Sequence, residues 1–317
     1  MALNYRSTTS LKDMMSNNKK RGNRKEEQKM AEARIAVIGG TGFYAMEGLT
    51  DTKEVHVDTP FGDPSDSILI GTLEGRRVAF LARHGRGHRL TPTEINVRAN
   101  IFALKSIGVD WIISVSAVGS LREEIRPRDF VIPDQLYDHT KNRLNTFFGQ
   151  GLVVHVGLGE PFCHELRHLL IDAAEQTGVA VHHTGTYLCM EGPQFSTKAE
   201  SNIYRSWGCS VIGMTAAPEA KLAREAEICY ASIACSTDYD CWHEEHDSVT
   251  VNMIMENLHA NVDHAKQVLH HIVSAIPLEA TCRCHSALAH AILTNRKVIP
   301  ADLLQKLDPI VGKYFKA

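Results

Sequence analysis

The stretch Leu81-Ala82-Arg83-His84-Gly85-Arg86-Gly87-His88 sets two arginines and two histidines within six residues, directly after an apolar run. An arginine supplies a planar fork of N–H donors, and a neighbouring histidine adds another, a set that suits a phosphate dianion. An exposed basic loop is the plain alternative. Gly39-Gly40-Thr41-Gly42-Phe43 also follows an apolar run, and its amides with the Thr41 hydroxyl are able to cradle an anion. It lacks the full G-x-G-x-x-G spacing and the acidic residue expected about 20 residues further on, so a dinucleotide site is disfavoured. In Ser116-Ala117-Val118-Gly119-Ser120, small residues let backbone amides and a hydroxyl come close to a ligand, although a tight turn reads the same way.

Asp238 and Asp240 stand two residues apart after a strand-like run, and in extended geometry their carboxylates point the same way. A protonated carboxyl beside an ionised one matches a purine, which offers N7 as acceptor and, in adenine, a 6-amino group as donor. A solvated acidic turn is the alternative, and the nearby Trp242 speaks against it. His164-Glu165-Leu166-Arg167-His168 fits H-E-x-x-H, the zinc-protease pattern. Ile171 stands where the extended form of that motif has glycine, and with 17 histidines in the chain the match is read as chance. No metal is expected.

These groups need elements to hold them. Ile35–Ile38 is a short buried strand stopped by glycines, Ser67–Thr72 and Arg77–Leu81 pair across Glu74-Gly75, and Thr93–Lys105 has helical spacing. Strands follow at Trp111–Val115 and Phe130–Ile132. The alternation continues with a helix over Pro161–Gln176, a strand Val179–Thr186, a helix Lys198–Trp207 and a strand Ser210–Ile212. A helix Pro218–Glu225, a strand Ile228–Ala234 and a long helix Val249–Ala275 complete it. Strands alternating with helices indicate an α/β fold, a three-layer sandwich around a mixed, largely buried twisted sheet. In such folds ligands gather where strand ends enter helices.

At 317 residues, 44% hydrophobic and 22% charged, the chain can build one full core. A net charge of −3 gives no general argument for nucleic acid or for an acidic membrane, and no apolar run is long enough to span one. The charge is uneven: the first 30 residues carry eight Lys or Arg against three Asp or Glu, net +5, leaving −8 for the rest. Residues 1–32 are therefore expected to be a disordered basic tail, without the apolar core of a secretory signal. Residues 33–317 are expected to form a single domain in the cytoplasm, with 282–317 a helical C-terminal extension packed on a neighbouring subunit. The eight cysteines are expected to be reduced. Cys282 and Cys284 read as two exposed thiols, with a strained local disulfide as the alternative.

Taken together, seven segments in one order resemble the purine nucleoside phosphorylase superfamily, specifically its methylthioadenosine phosphorylase branch. They are Gly39-Gly40-Thr41-Gly42, Val57-Asp58-Thr59-Pro60-Phe61-Gly62, Ala82-Arg83-His84-Gly85-Arg86, Gly119-Ser120-Leu121-Arg122-Glu123-Glu124, Glu191-Gly192-Pro193-Gln194-Phe195, Gly213-Met214-Thr215 and Thr237-Asp238-Tyr239-Asp240-Cys241-Trp242. The resemblance covers about Ile35 to Ile276. It implies phosphate held by Thr41, Arg83, His84, Ser116, Ala117 and Thr215, Met214 beneath the ribose, and Phe195 against the purine. Asp238 and Asp240 would take the N7 and 6-amino edge, with Asp238 as proton donor. His155 and His88 would border the 5' end, one or both across a subunit boundary of a homotrimer. Inorganic phosphate would be a co-substrate and no cofactor is implied.

The same resemblance bears on the base. Relatives acting on 6-oxopurines carry Glu where this chain has Ser196 and Asn where it has Asp238. A carboxylate asks for a donor such as the 6-amino group. Where those relatives have a His at the 5' end, this chain offers the apolar Val251 and Ile254, which favour a methylthio group over a hydroxyl. The implied reaction is phosphorolysis of methylthioadenosine. A phosphorylase for inosine, guanosine or methylthioinosine stands second, and a non-catalytic nucleoside-binding protein third. One departure is Gly213, where some methylthioadenosine phosphorylases have Asn.

Overall fold

The structure, a computed structural model, describes residues 32–243 and 251–316. Within these, the side chains of Thr41, residues 251–255 and residue 258 fall outside the description. The expected basic tail, apart from its last residue, therefore lies outside the described residues.

The sheet grows around β1 (Ile35–Gly39), which pairs in parallel with β4 (Arg76–Ala82) and β5 (Trp111–Ser120). Alternation along β1 sorts its side chains between two cores: Ala36 and Ile38 face one, Ile35 and Val37 the other. On the first side pack α1 (Val97–Ser106) and α4 (Ala216–Glu225), and on the second α2 (His164–Glu175) and α5 (Val251–Ala275). Three layers result, and α3 (Lys198–Ser206) adds Tyr204 to a smaller cluster with Leu188 and Ile212. Outward from β4 the order runs to β3 (Ile68–Leu73) and β2 (Thr50–Val55). Beyond β5 it continues through β10 (Val211–Gly213) and β9 (Thr186–Met190) to β7 (Gln135–His139). A second branch leaves β5 through β11 (Cys229–Asp238) to β6 (Phe130–Val131) and β8 (Val181–His182). The ladder is mixed, antiparallel at β2–β3, β3–β4, β5–β10 and β6–β11.

The departures from expectation have local causes. β5 and β11 run on to Ser120 and Asp238 because their small polar ends stay paired, Cys235 with Ala117 and Ser236 with Val118. The strand expected over Val179–Thr186 breaks into β8 and the start of β9 at Gly185, whose Cα lies so close to the Ser210 side chain that a Cβ would meet it at 2.9 Å. Helix α1 starts at Val97 rather than Thr93, since Asn96 caps it from the side chain while Thr91 and Glu94 close a turn of their own. The polar strands β2 and β7 were not foreseen.

The C-terminal segment does contain two short helices, α6 (Ala301–Lys306) and α7 (Asp308–Phe315). Leu303, Leu307, Ile310 and Val311 are buried in the same core as Ile101 and Phe102 of α1, because that face of α1 would otherwise be bare.

Candidate active site

Four strand ends, those of β4, β5, β10 and β11, converge on one place and bring Arg83, Ser116, Thr215, Asp238 and Asp240 to it, with two departures from the expected detail. Asp238 closes β11 opposite Gly119 of β5. A Cβ on Gly119 would lie 3.0 Å from Asp238 Oδ1 and 3.3 Å from the Asp240 Cβ, so a larger residue would push the two carboxyls aside by a few tenths of an ångström. The two are neighbours, but not through an extended backbone. Asp240 has φ 52° and sits in a turn that bends back, donating its backbone N–H to Asp238 Oδ1 at 2.8 Å. Both side chains are buried, and burial pushes both carboxyls above their usual range, with the Asp238 charge adding to the effect at Asp240. Asp240 Oδ2 has no partner in hydrogen-bond geometry among the described residues, although the Ser201 and Ser196 hydroxyls lie beside the carboxyl. Ser196 lies close by, its carbonyl accepting from the Cys241 thiol. Phe195 is half exposed on the preceding residue.

The second correction concerns Arg83. It is almost wholly buried, and its Nε and Nη2 grip Glu219 at 2.6 and 3.2 Å, while Nη2 also donates to Ser114 Oγ and Nη1 to the Val115 carbonyl. The outward fork expected of it is thus closed on Glu219, leaving one Nη1 N–H. A buried guanidinium needs this compensation, and Glu219 is further held by Tyr230 and Ser114 hydroxyls. His84 donates Nδ1–H to the Leu90 carbonyl at 2.8 Å and stacks on His88, ring centroids 4.2 Å apart. Burial lowers its pKa to about 4, with Arg83 and His88 adding to the shift, so it is neutral with Nε2 as the free nitrogen.

Beside them lies a group of hydroxyls. Ser116 Oγ and Thr215 Oγ1 are buried and have no hydrogen-bond partner. Thr215 occupies the N-cap position of α4 yet caps nothing with its side chain. Ala117 is exposed on β5. Thr41 opens a 3-10 turn over Thr41–Ala45 directly after β1; its side chain is outside the described atoms. Met214 packs its sulfur against Gly192, where a Cβ would meet it at 2.5 Å. His155 is exposed on a loop bridged, Val154 to Ile292, with the C-terminal segment, and His88 is exposed at φ 53°. Val251 and Ile254 lie on the first turn of α5 with their side chains outside the description. The H-E-x-x-H residues sit on α2, His164 and His168 touching through Nε2 at 3.1 Å. Among the described residues, the donors that gather are elsewhere, at Cys163, Cys229, Cys282 and Cys284.

The comparisons agree with this geometry. Residues 34–275 match the family model described as the phosphorylase superfamily. The chain belongs to that superfamily. Its relatives include an S-methyl-5'-thioadenosine phosphorylase of Koribacter versatilis, 60% identical over 90% of this chain and 97% of the relative. Another, of Geobacter sulfurreducens, is 57% identical over 88% and 98%. Among solved structures, a methylthioadenosine phosphorylase from an antarctic soil metagenomic library superposes with a TM-score of 0.85 at 48% identity, covering 89% of this chain and 99% of that one. A Schistosoma mansoni adenosine/methylthioadenosine phosphorylase mutant in complex with methylthioadenosine reaches 0.76 at 37% identity, covering 81% and 96%.

Sequence reading missed several residues of this superfamily member's site. Glu219 gave no signal, being one acid in an ordinary helix. Arg143 threads into the site wall, donating to the carbonyls of Met214, Ala217 and Glu191, while Glu191 accepts from the backbone N–H groups of Lys141 and Asn142. Tyr187 is the most informative omission. It is fully buried on β9 and its hydroxyl has no partner. Burial pushes it up to about 12, and the Thr215 and Ser116 hydroxyls lie beside it without meeting hydrogen-bond geometry. A Cβ on Gly213 would fall 2.0 Å from that hydroxyl. Gly213 is therefore dictated by Tyr187: the phenol fills the volume an asparagine side chain would take.

Proposed function

We propose that this chain catalyses phosphorolysis of S-methyl-5'-thioadenosine to adenine and S-methyl-5-thioribose 1-phosphate. The observation that carries the choice of base is the pair of buried carboxyls at Gly119, one holding an unpartnered oxygen. A buried acceptor without a donor is costly, and the 6-amino group of adenine supplies the donor that Asp240 Oδ2 lacks. A 6-oxo group would set acceptor against acceptor. Relatives named for the same substrate, 57–60% identical over nearly their whole length, support the reading.

Proton counting supports a neutral Asp238. Thr237 Oγ1 stands 2.7 Å from Asp238 Oδ2 and 3.2 Å from the Val118 carbonyl. One hydroxyl proton cannot serve both acceptors. Both contacts are satisfied when Thr237 donates to Val118 and Asp238 carries its own proton on Oδ2, the form that burial favours. In the reaction Asp238 passes this proton to N7 as the C1'–N9 bond breaks, so the bonding pair leaves on a neutral base. A phosphate oxygen then bonds to C1', and the hydrogen brought in by hydrogen phosphate balances the one delivered to adenine.

Phosphate sits on the hydroxyls of Ser116 and Thr215, the amide side of Ala117, the Thr41 turn and the remaining N–H of Arg83, with Tyr187 as an added donor, while neutral His84 accepts the O–H of hydrogen phosphate at Nε2. Donors fixed in a dry site stabilise the charge that develops on the ribosyl ring and phosphate. No further cofactor enters the proposed chemistry. Met214 lies under the ribose, Phe195 against the base, and Ser196, Val251 and Ile254 shape the selection. We place His155 and His88 at the 5' end of the nucleoside in a homotrimer, because His155 shares a ribbon with the exposed Val153 and Leu293, joined by a backbone bond of 3.0 Å, an apolar face suited to a second copy. We assign the activity to the cytoplasm, where cysteines without disulfide partners stay reduced; among the described residues no helix is long and apolar enough to cross a membrane. The direct test is Asp238→Asn: kcat on methylthioadenosine should fall about 100-fold or more while the fold is retained, and full activity would remove the proton-donor role.

A further inference from the structure

Four cysteines from three distant parts of the chain meet away from the site. Cys163 is the N-cap residue of α2, Cys229 opens β11, and Cys282 and Cys284 belong to the turn that begins the C-terminal segment. All four are buried, which corrects the expectation that the last two are exposed. Their Sγ atoms lie within 4.8 Å of one another, Cys229 to Cys282 at 2.8 Å and Cys163 to Cys282 at 3.7 Å. Zinc bound by four thiolates at about 2.3 Å requires sulfur–sulfur edges of about 3.8 Å, a value inside the observed range. The backbone is already braced there: Cys163 N–H donates to the Tyr230 carbonyl and Cys229 N–H to that of Asp110.

We propose that Cys163, Cys229, Cys282 and Cys284 form a structural site for one zinc ion. Four soft donors in closed tetrahedral arrangement select zinc over harder cations and leave no position for substrate. A groove whose lining includes Cys163, Cys282 and Cys284 gives the ion a way in, with Arg283 paired to Glu160 at its rim. His285 supplies an outer contact, its Nε2 3.3 Å from Cys229 Sγ. The ion would tie the start of β11 and the head of α2 to the C-terminal segment. Asp238 lies at the far end of β11, nine residues or about 30 Å away, so the role is to hold the fold, not to act in the reaction.

The test uses the full chain purified under reducing conditions. Metal analysis should find one zinc per chain, and replacing it with Co2+ should give the visible absorption of tetrahedral cobalt thiolate. The double variant Cys282→Ser/Cys284→Ser should lose the metal, while Cys209→Ser, at a buried thiol outside the cluster, keeps it. Stripping zinc with a strong chelator should lower the melting temperature of the parent chain but leave its initial rate at 25 °C unchanged. Two results would overturn the proposal: a metal-free reduced chain that takes up neither zinc nor cobalt with all four thiols titratable, or a chain isolated without reductant whose mass is four hydrogens short, meaning two disulfides.

Discussion

At Tyr187 one hydroxyl explains an odd glycine and predicts a phosphate contact. Removing it with Tyr187→Phe keeps the ring and its packing, so the loss should appear in phosphate binding. A hydrogen bond to a charged group contributes roughly 1.5–3 kcal/mol, and we expect KM for phosphate to rise about tenfold or more with KM for the nucleoside little changed. An unaltered phosphate KM would exclude the contact. His84 offers a second reading at this scale. Its unfolded side chain binds a proton near the usual 6.5, the folded one only near 4. Between those values the unfolded chain holds more protons, so stability falls as pH drops through the window. His84→Gln should flatten that part of the curve of melting temperature against pH; an identical slope would mean His84 is not held neutral. The chemistry-bearing residues were legible because their types are unusual together. What was hidden was which donors are already spent: nothing in the sequence tells that Arg83 is bound to Glu219, 136 positions away.

Strands and helices show the same division. Buried runs such as Ile35–Ile38 and Trp111–Val115 are readable from apolar pattern alone, and these carry the site. The polar strands β2 and β7 were not legible, since both stand at sheet edges where one side of the ladder meets solvent and no apolar alternation is needed. Ladder pairing, not side-chain pattern, likewise extends β5 and β11 to Gly119 and Asp238. The packing of β9 against β10 yields a paired prediction. Gly213→Asn alone should destabilise by about 1–3 kcal/mol through overpacking, because its Cβ would meet the Tyr187 hydroxyl. Combining it with Tyr187→Met should recover most of that loss, as measured by chemical unfolding. A double variant destabilised by the sum of the Gly213→Asn and Tyr187→Met effects would show that the two positions are not coupled.

For the molecule as a whole, the C-terminal helices join the chain's own core, a seat the sequence does not reveal because the α1 face they cover is separated from them by some two hundred residues. Leu303, Leu307, Ile310 and Val311 each bury a side chain worth roughly 1.5–3 kcal/mol, against a total stability of about 5–15 kcal/mol for a typical domain. A chain ending at residue 281 should therefore fail to give a cooperative thermal transition; a truncated chain that melts like the parent would contradict the packing. Light scattering should return three chains' mass, 35.2 kDa each, whereas a stable active monomer would remove the neighbour's part in the site. The account rests finally on what leaves the base pocket. Phosphate-dependent release of free base from methylthioadenosine, adenosine and inosine, measured side by side, should show adenine from methylthioadenosine well ahead of the other two. Preference for inosine would contradict the reading of Asp238 and Asp240, and no release from any of the three would contradict phosphorolysis itself.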